Sequence, residues 1–336
     1  MSEAMQAPMQ ALKPELLDLH PAPADVRRLV IEGLSRSPKQ LPAWFLYDAE
    51  GSRLFDLICE QPEYTLTATE TALLEREAPA IAAALGPGTL VEFGAGSARK
   101  VGPLLRALAA AGQMPAYVAL DISAEHLRDA CGRLQSHHPA AAILGICCDY
   151  SQLEQLPQHP LITGHAHLGF YPGSSLGNFE PAEAQRLLSQ FRRLLGPGGR
   201  LLIGIDQPKE VARLEAAYND AAGVSAAFAL NLLARLNREL GATFDPHAFR
   251  YRARWQPQAS QIEMALVSVR AQTVQAAGRS WNFEAGEPLI TETSAKYSPE
   301  AFLALAAAAG WRGAQRWSDP AGDLCLHLLV QADSEH

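Results

Sequence analysis

In "ITETSAKY" (290–297), Glu292 and Ser294 stand two residues apart, separated by a single threonine. In an extended segment alternate side chains share a face, so the two make a polar clamp of one acceptor and one hydroxyl. Far upstream, "VEFGAGSARK" (91–100) places Gly94 and Gly96 directly after an apolar run and before a helical one. Missing side chains let a ligand approach the backbone there, and a helix start offers free N–H groups. A dinucleotide fingerprint would need a third glycine where Arg99 stands, which argues against a pyrophosphate ligand. Asp121 ends the next apolar run and suits the hydroxyls of a ribose, or caps the helix that follows. Asp149 ends the third, in "CDY", where it could accept from an adenine amine with Tyr150 against the ring. A turn role for Asp149 and plain packing for Tyr150 are the alternatives. Glu92 adds a carboxylate suited to a sulfonium, and Lys100 either meets a ligand carboxylate or lies on a solvated helix face. A glycine turn with acids ending the next two strands fits S-adenosylmethionine better than a nicotinamide dinucleotide.

Positioning these groups requires a strand–helix alternation, and the sequence supplies one. Apolar runs at 89–94, 116–123, "AAILGICCDY", 166–178 and "RLLIGIDQP" read as strands, with helices over 100–111, 124–134 and 182–195 between them. Such alternation predicts a parallel sheet covered on both faces. Ahead of it, residues 1–19 read as a flexible arm and 24–34 as a helix, while Thr67 with Glu70 reads as a capping box launching a helix to Leu85. Past Pro208 an alanine-rich helical region runs to Leu240, followed by antiparallel strands at 248–255 and 261–274. "RSWNFEAGEPLITETS" reads as a further strand pair about a glycine turn, 298–310 as a helix capped by Ser298, and 323–332 as a closing strand. The α/β core is thus interrupted by an insertion over about 208–297.

The chain has 336 residues, is 48% hydrophobic and carries a net charge of −8 without a long basic run. This disfavours nucleic acid and anionic membranes as partners and favours a small molecule. Five cysteines without a CxxC pair point to buried thiols in a reducing, cytoplasmic setting, and the ten histidines show no metal-binding spacing. No signal peptide and no apolar run long enough to span a bilayer is expected. Oligomeric state is not legible.

"PAWFLYDAEGSRLFD", "PEYTLTATE", "VEFGAGSARK", "PGSSLGNF" and "ITETSAKY", in this order, resemble the histidine Nα-methyltransferases of ergothioneine biosynthesis, over about residues 38–332. The resemblance implies a Rossmann-like, S-adenosylmethionine-dependent methyltransferase domain (71–207 and 298–336) with a second, α+β substrate-binding domain (20–70 and 208–297). It implies methyl transfer to the α-amino group of L-histidine, giving the trimethyl betaine hercynine, with a sulfoxide synthase as a pathway neighbour. Tyr47 and Tyr64 would line the substrate pocket, Gly173 and Asn178 would bind the amino and carboxylate groups, and Tyr218 would add a hydrogen bond. Met264, Glu292 and Ser294 would enclose the imidazole, and Tyr47 and Asn178 would serve the reacting amine. The chain reads "EYTLTA" where the family usually has "EYYPTR". A related amine methyltransferase acting on a tryptophan-like substrate, or a non-catalytic cofactor-binding module, are the rival readings.

Overall fold

Apolar segments that are buried along their whole length, such as "TLVEF" and "LGIC", can only sit in the middle of a sheet covered on both faces. The computed structural model describes residues 13–20, 25–113 and 116–332. The chain opens with β1 (Glu15–Asp18), α1 (Val26–Leu34), β2 (Lys39–Gln40), α2 (Ala49–Cys59) and α3 (Leu66–Leu85). The alternating core follows: β3 (Thr89–Phe93), α4 (Gly102–Ala110), β4 (Ala116–Asp121), α5 (Ala124–His137), β5 (Ala142–Cys147), β6 (His167–Tyr171), α6 (Pro181–Leu195) and β7 (Arg200–Asp206). Then come α7 (Val211–Ala217), α8 (Val224–Leu240), β8 (Phe249–Gln256), β9 (Gln261–Ser268), β10 (Gln272–Ala276), β11 (Arg279–Phe283) and β12 (Pro288–Ala295). The chain closes with α9 (Pro299–Ala308), β13 (Trp311–Ser318) and β14 (Leu324–Gln331).

Among the described residues the main sheet has the order β1-β5-β4-β3-β6-β7-β14-β13. Its strands run parallel from β1 to β7, and β14 and β13 close it antiparallel. Side chains alternate between two cores: Tyr117 and Ala119 face one, Val118 and Leu120 the other. This is the α/β, Rossmann-like architecture that the strand–helix alternation predicts. Strand order reverses between β3 and β6, so the crevice beyond their carboxyl ends is where a ligand belongs. The inserted residues supply the β10–β11 hairpin and β12, β9 and β8 of a second sheet, β2-β12-β9-β8, whose edge strand β2 comes from the N-terminal segment.

Several expectations need correction. Glu15–Asp18 of the expected arm is a strand, paired in parallel with β5; residues 1–12 of that arm lie outside the described residues, as does Ala24. No capping box starts α3: its N-cap, Thr65, makes no side-chain cap bond, and Thr67 lies inside the helix. The segment 261–274 is two strands rather than one. β11 and β12 do not pair with each other; β11 pairs with β10, and β12 lies between β9 and β2. The alanine-rich region is two helices, parted where Gly223 takes a left-handed conformation. β13, mostly exposed at the sheet edge, has no apolar pattern by which to be found.

Candidate functional site

The carboxyl ends of the parallel strands converge on one crevice. After β3, Gly94 (φ +67°) and Gly96 (φ +51°) form a turn that a side chain would strain. A Cβ at Gly96 would meet nothing within 4 Å, so the turn's floor is open to a ligand. Asp121, ending β4, holds this turn: its Oδ2 accepts the Gly96 N–H at 2.9 Å and its Oδ1 the Ser123 N–H at 3.1 Å. Each oxygen keeps a lone pair for a ligand hydroxyl. The cap of α5 is Ser123, not Asp121. Beside it Ile122 is 60% exposed, an apolar rim that the sequence analysis passed over.

After β5, Asp149 is exposed and its Oδ1 takes both the N–H and the hydroxyl of Ser151. Tyr150 packs edge-on against Phe93, and its hydroxyl lies 3.4 Å from where a Gly94 Cβ would be. Glu92 sits behind the turn, accepts from the Tyr117 hydroxyl, and is pushed up to about 8 by burial, against that bond.

Lys100 is not a solvated helix residue. Its ammonium lies 2.6 Å from the Glu70 carboxylate, which is fully buried and also accepts the Gly173 N–H at 2.8 and 2.9 Å. The Glu70 carboxylate fills the space left by the absent side chain of Gly204 in β7. Glu70 thus ties the turn after β3 to the turn after β6. Sequence reading missed it because a glutamate in "TATE" looks like a helix cap.

The turn after β6 is strained. Gly173 has φ +87° and Ser174, a non-glycine, φ +54°. The Asp206 N–H donates to Ser174 Oγ at 2.9 Å and holds it there. A short 3₁₀ turn (Ser175–Asn178) follows and delivers Asn178 to β12. The approach is backbone to backbone: a Cβ on Gly177 would lie 2.5 Å from the Ala295 carbonyl.

Here the clamp of the sequence analysis takes shape. Glu292 and Ser294 share a face of β12, beyond a bulge between Ile290 and Glu292, and they are 9% and 4% exposed. They line a pocket together with Tyr47, Tyr64, Gly173, Asn178, Tyr218 and Met264, so all eight expected substrate residues meet in one cavity. Asn178 Nδ2 donates to Glu292 Oε1 at 3.0 Å, and the Tyr218 hydroxyl is 2.9 Å from Ser294 Oγ. Burial pushes Glu292 up to about 8, with Lys296 pulling the other way. Phe55, Phe228 and Tyr251, none of them singled out from the sequence, complete an aromatic wall. Tyr47 stands edge-on to Phe55 and Phe228 at 5.5 and 5.3 Å, and Tyr64 edge-on to Tyr218 at 5.9 Å. Burial drives the Tyr64 hydroxyl well above the usual tyrosine range; Tyr47 moves the same way, although 38% of it is open to solvent.

Lys296 and Asp206 were also missed. They form a buried ion pair, 2.8 Å apart, immediately behind Ser294 and Tyr218. Lys296 stands in the quoted "TSAKY" and Asp206 in "RLLIGIDQP", but nothing in either stretch shows that the fold joins them.

A family described as "Histidine-specific methyltransferase, SAM-dependent" matches residues 26–331. Histidine N-alpha-methyltransferase of Mycolicibacterium smegmatis is 41% identical over 308 residues, covering 91% of this chain and 95% of the relative. The protein of the same name from Mycobacterium tuberculosis is 38% identical over 309 residues, with the same coverage of 91% and 95%. Ergothioneine biosynthesis protein 1 of Neurospora crassa is 30% identical over 312 residues, which cover 88% of this chain and 33% of that protein.

Proposed function

The chain belongs to the histidine-specific, S-adenosylmethionine-dependent methyltransferase family, and from that premise we propose that it methylates the α-amino group of L-histidine to the trimethyl betaine, in ergothioneine biosynthesis. The observation that carries this reading is the buried Glu292–Ser294 pair on one face of β12, inside a pocket otherwise walled by aromatic rings. A ring with one N–H and one lone pair needs an acceptor and a donor, and this pair supplies both. A side chain without a ring N–H would leave Glu292 without a ligand partner, and an indole, which has an N–H but no ring acceptor, would leave the hydroxyl unanswered.

The residues about the glycine turn fit S-adenosylmethionine. Gly94 and Gly96 offer a bare backbone, Asp121 keeps free lone pairs for ribose hydroxyls, and Ile122 gives an apolar edge for the base with Asp149 and Tyr150 beside it. We assign Lys100 to the amino-acid end of the cofactor and Glu92, raised to about 8 by burial, to supporting the turn from behind through Tyr117. When bound, S-adenosylmethionine supplies an electrophilic sulfonium methyl.

The chain's own part is orientation. Glu292 Oε1 accepts from Asn178 Nδ2, which leaves the Asn178 carbonyl oxygen to accept from the substrate amine. Tyr47 closes the same end. With their hydroxyls held above the usual range, neither Tyr47 nor Tyr64 serves as a strong base at neutral pH. The catalytic contribution is then chiefly the alignment of the amine lone pair with the methyl group. Aromatic faces around it tolerate the permanent positive charge of the product. Five unpaired thiols support a cytoplasmic setting, from which the product would pass to a sulfoxide synthase.

The test is incubation of the purified protein with S-adenosylmethionine and each amino acid in turn, read by mass. Trimethylated histidine is expected; its absence, or equal turnover of tryptophan, overturns the reading.

A further inference from the structure

Lys296 follows directly on β12 and carries the spacing of Glu292 and Ser294 one step further. It is 1% exposed, and its backbone is pinned at both ends: its N–H donates to the Ser260 carbonyl and its own carbonyl accepts from Ser260 Oγ, each at 2.7 Å. The ammonium has three protons and three acceptors, Asp206 Oδ2 at 2.8 Å, the Tyr218 hydroxyl at 2.7 Å and Ser294 Oγ at 2.8 Å. Burial works against its charge, but Asp206 and then Tyr218 hold it protonated, above the usual lysine range. Asp206, shared with Lys209 at 2.7 Å, is kept ionised below the usual carboxylate range in spite of its burial.

Counting protons gives the pocket a polarity. An ammonium only donates, so the Tyr218 and Ser294 oxygens both already accept from Lys296. One hydroxyl proton fills the 2.9 Å gap between those oxygens. The second hydroxyl proton has no acceptor left within the cluster. Across the pocket Glu292 accepts from Asn178 at 3.0 Å, and as a carboxyl that burial raises to about 8 it adds no anion at pH about 6 that would favour imidazolium. The other titratable groups facing the cluster are Tyr47, Tyr64 and Tyr251, whose hydroxyls burial moves upward, away from ionisation near neutrality.

We infer that Lys296, backed by Asp206, is a positioning residue that commits the Tyr218–Ser294 hydroxyl pair to donate one O–H into the pocket, so that the site takes the histidine ring as neutral imidazole and refuses imidazolium. The inference rests on the histidine reading above. It adds that selection of the ring's protonation state comes from a lysine that does not touch the substrate.

The experiment observes ring-15N-labelled histidine bound to the protein with S-adenosylhomocysteine. At pH about 6 most free histidine is imidazolium, since its ring titrates near 6.5. Wild type is expected to show one protonated and one bare ring nitrogen there, the bound ring titrating below about 5. In Lys296→Met the hydroxyls can turn a lone pair toward a second N–H, and the bound ring is expected to titrate above about 7. Imidazolium in the wild type, or a neutral ring in both proteins, overturns the inference. Should Lys296→Met no longer bind histidine, the wild-type spectrum decides together with pyrrolylalanine, which keeps a ring N–H but has no second nitrogen. That analogue is expected to bind roughly 10- to 100-fold more weakly than histidine, and equal binding overturns the inference. Failure of wild type to bind histidine at all is a different outcome and overturns the histidine reading itself.

Discussion

Glu292 is where binding and stability oppose each other. Its folded pKa of about 8 lies above the ordinary 4.5 because burial disfavours the charge. As pH rises from 4.5 toward 8 the unfolded chain releases this proton while the folded one retains it, so stability falls through that window and the full cost is present above 8. Glu292→Gln should therefore be more stable than wild type at pH about 9, by an amount on the order of a few kcal/mol, and little different near pH 4. Denaturant melts at the two pH values check this, and equal stability at the high pH would show that the carboxylate is not desolvated. The same variant should raise the histidine KM roughly 10- to 100-fold, the cost of leaving a buried hydrogen-bond partner unanswered, with S-adenosylmethionine affinity unchanged. Loss of both affinities together would remove Glu292 from the clamp. The sequence showed Glu292 and Ser294 as neighbours on a face. It did not show Asn178 on Glu292 or Asp206 on Lys296, because those contacts join residues far apart in the chain.

At the scale of elements, the glycine that brings two backbones together is as specific as any side chain. Gly177 lets the 3₁₀ turn (Ser175–Asn178) lie against the end of β12, and a methyl group there would strike the Ala295 carbonyl. Gly177→Ala should push Asn178 away from Glu292, raising the histidine KM at least about tenfold and costing roughly 1–3 kcal/mol of stability, as overpacking does. Steady-state kinetics with histidine, beside calorimetric titration of the cofactor, separates this from general damage; an unchanged KM would mean the turn does not register the amide. The elements themselves were largely legible, since buried parallel strands and capped helices such as α9, with Ser298 Oγ accepting the Ala301 N–H at 3.2 Å, follow local rules. Their partners were less so. β12 looked like one arm of a hairpin with β11, yet it pairs with β9 and β2, a choice made by long-range packing rather than by the turn between them.

On the scale of the whole molecule, the pocket joins parts far apart in the chain. The aromatic wall comes from 47–66, from α8 and from β8, the polar wall from the turn after β6 and from β12. Bound histidine should therefore tie the N-terminal segment to the rest of the protein. With histidine and S-adenosylhomocysteine at a hundredfold over their Kd values, each ligand should stabilise the fold by about 2.7 kcal/mol. Amide exchange over 43–66 should slow when histidine is added to the cofactor complex. Stabilisation without protection of that segment would exclude it from the site. Among the described residues no helix is long and apolar enough to cross a membrane.

By itself the sequence determined the alternation of strands and helices, the glycine turn with its following acids, and the polar pair near the C-terminus. These depend on residue type and spacing over a few positions, which is the range over which backbone sterics and side-chain periodicity act. Only the tertiary structure decided that Glu70 joins the two ligand turns, that Glu15–Asp18 adds a strand, and that Lys296 with Asp206 gives the hydroxyl pair its direction. A buried charge is tolerable only where the fold brings it a partner, and that partner can come from anywhere in the chain.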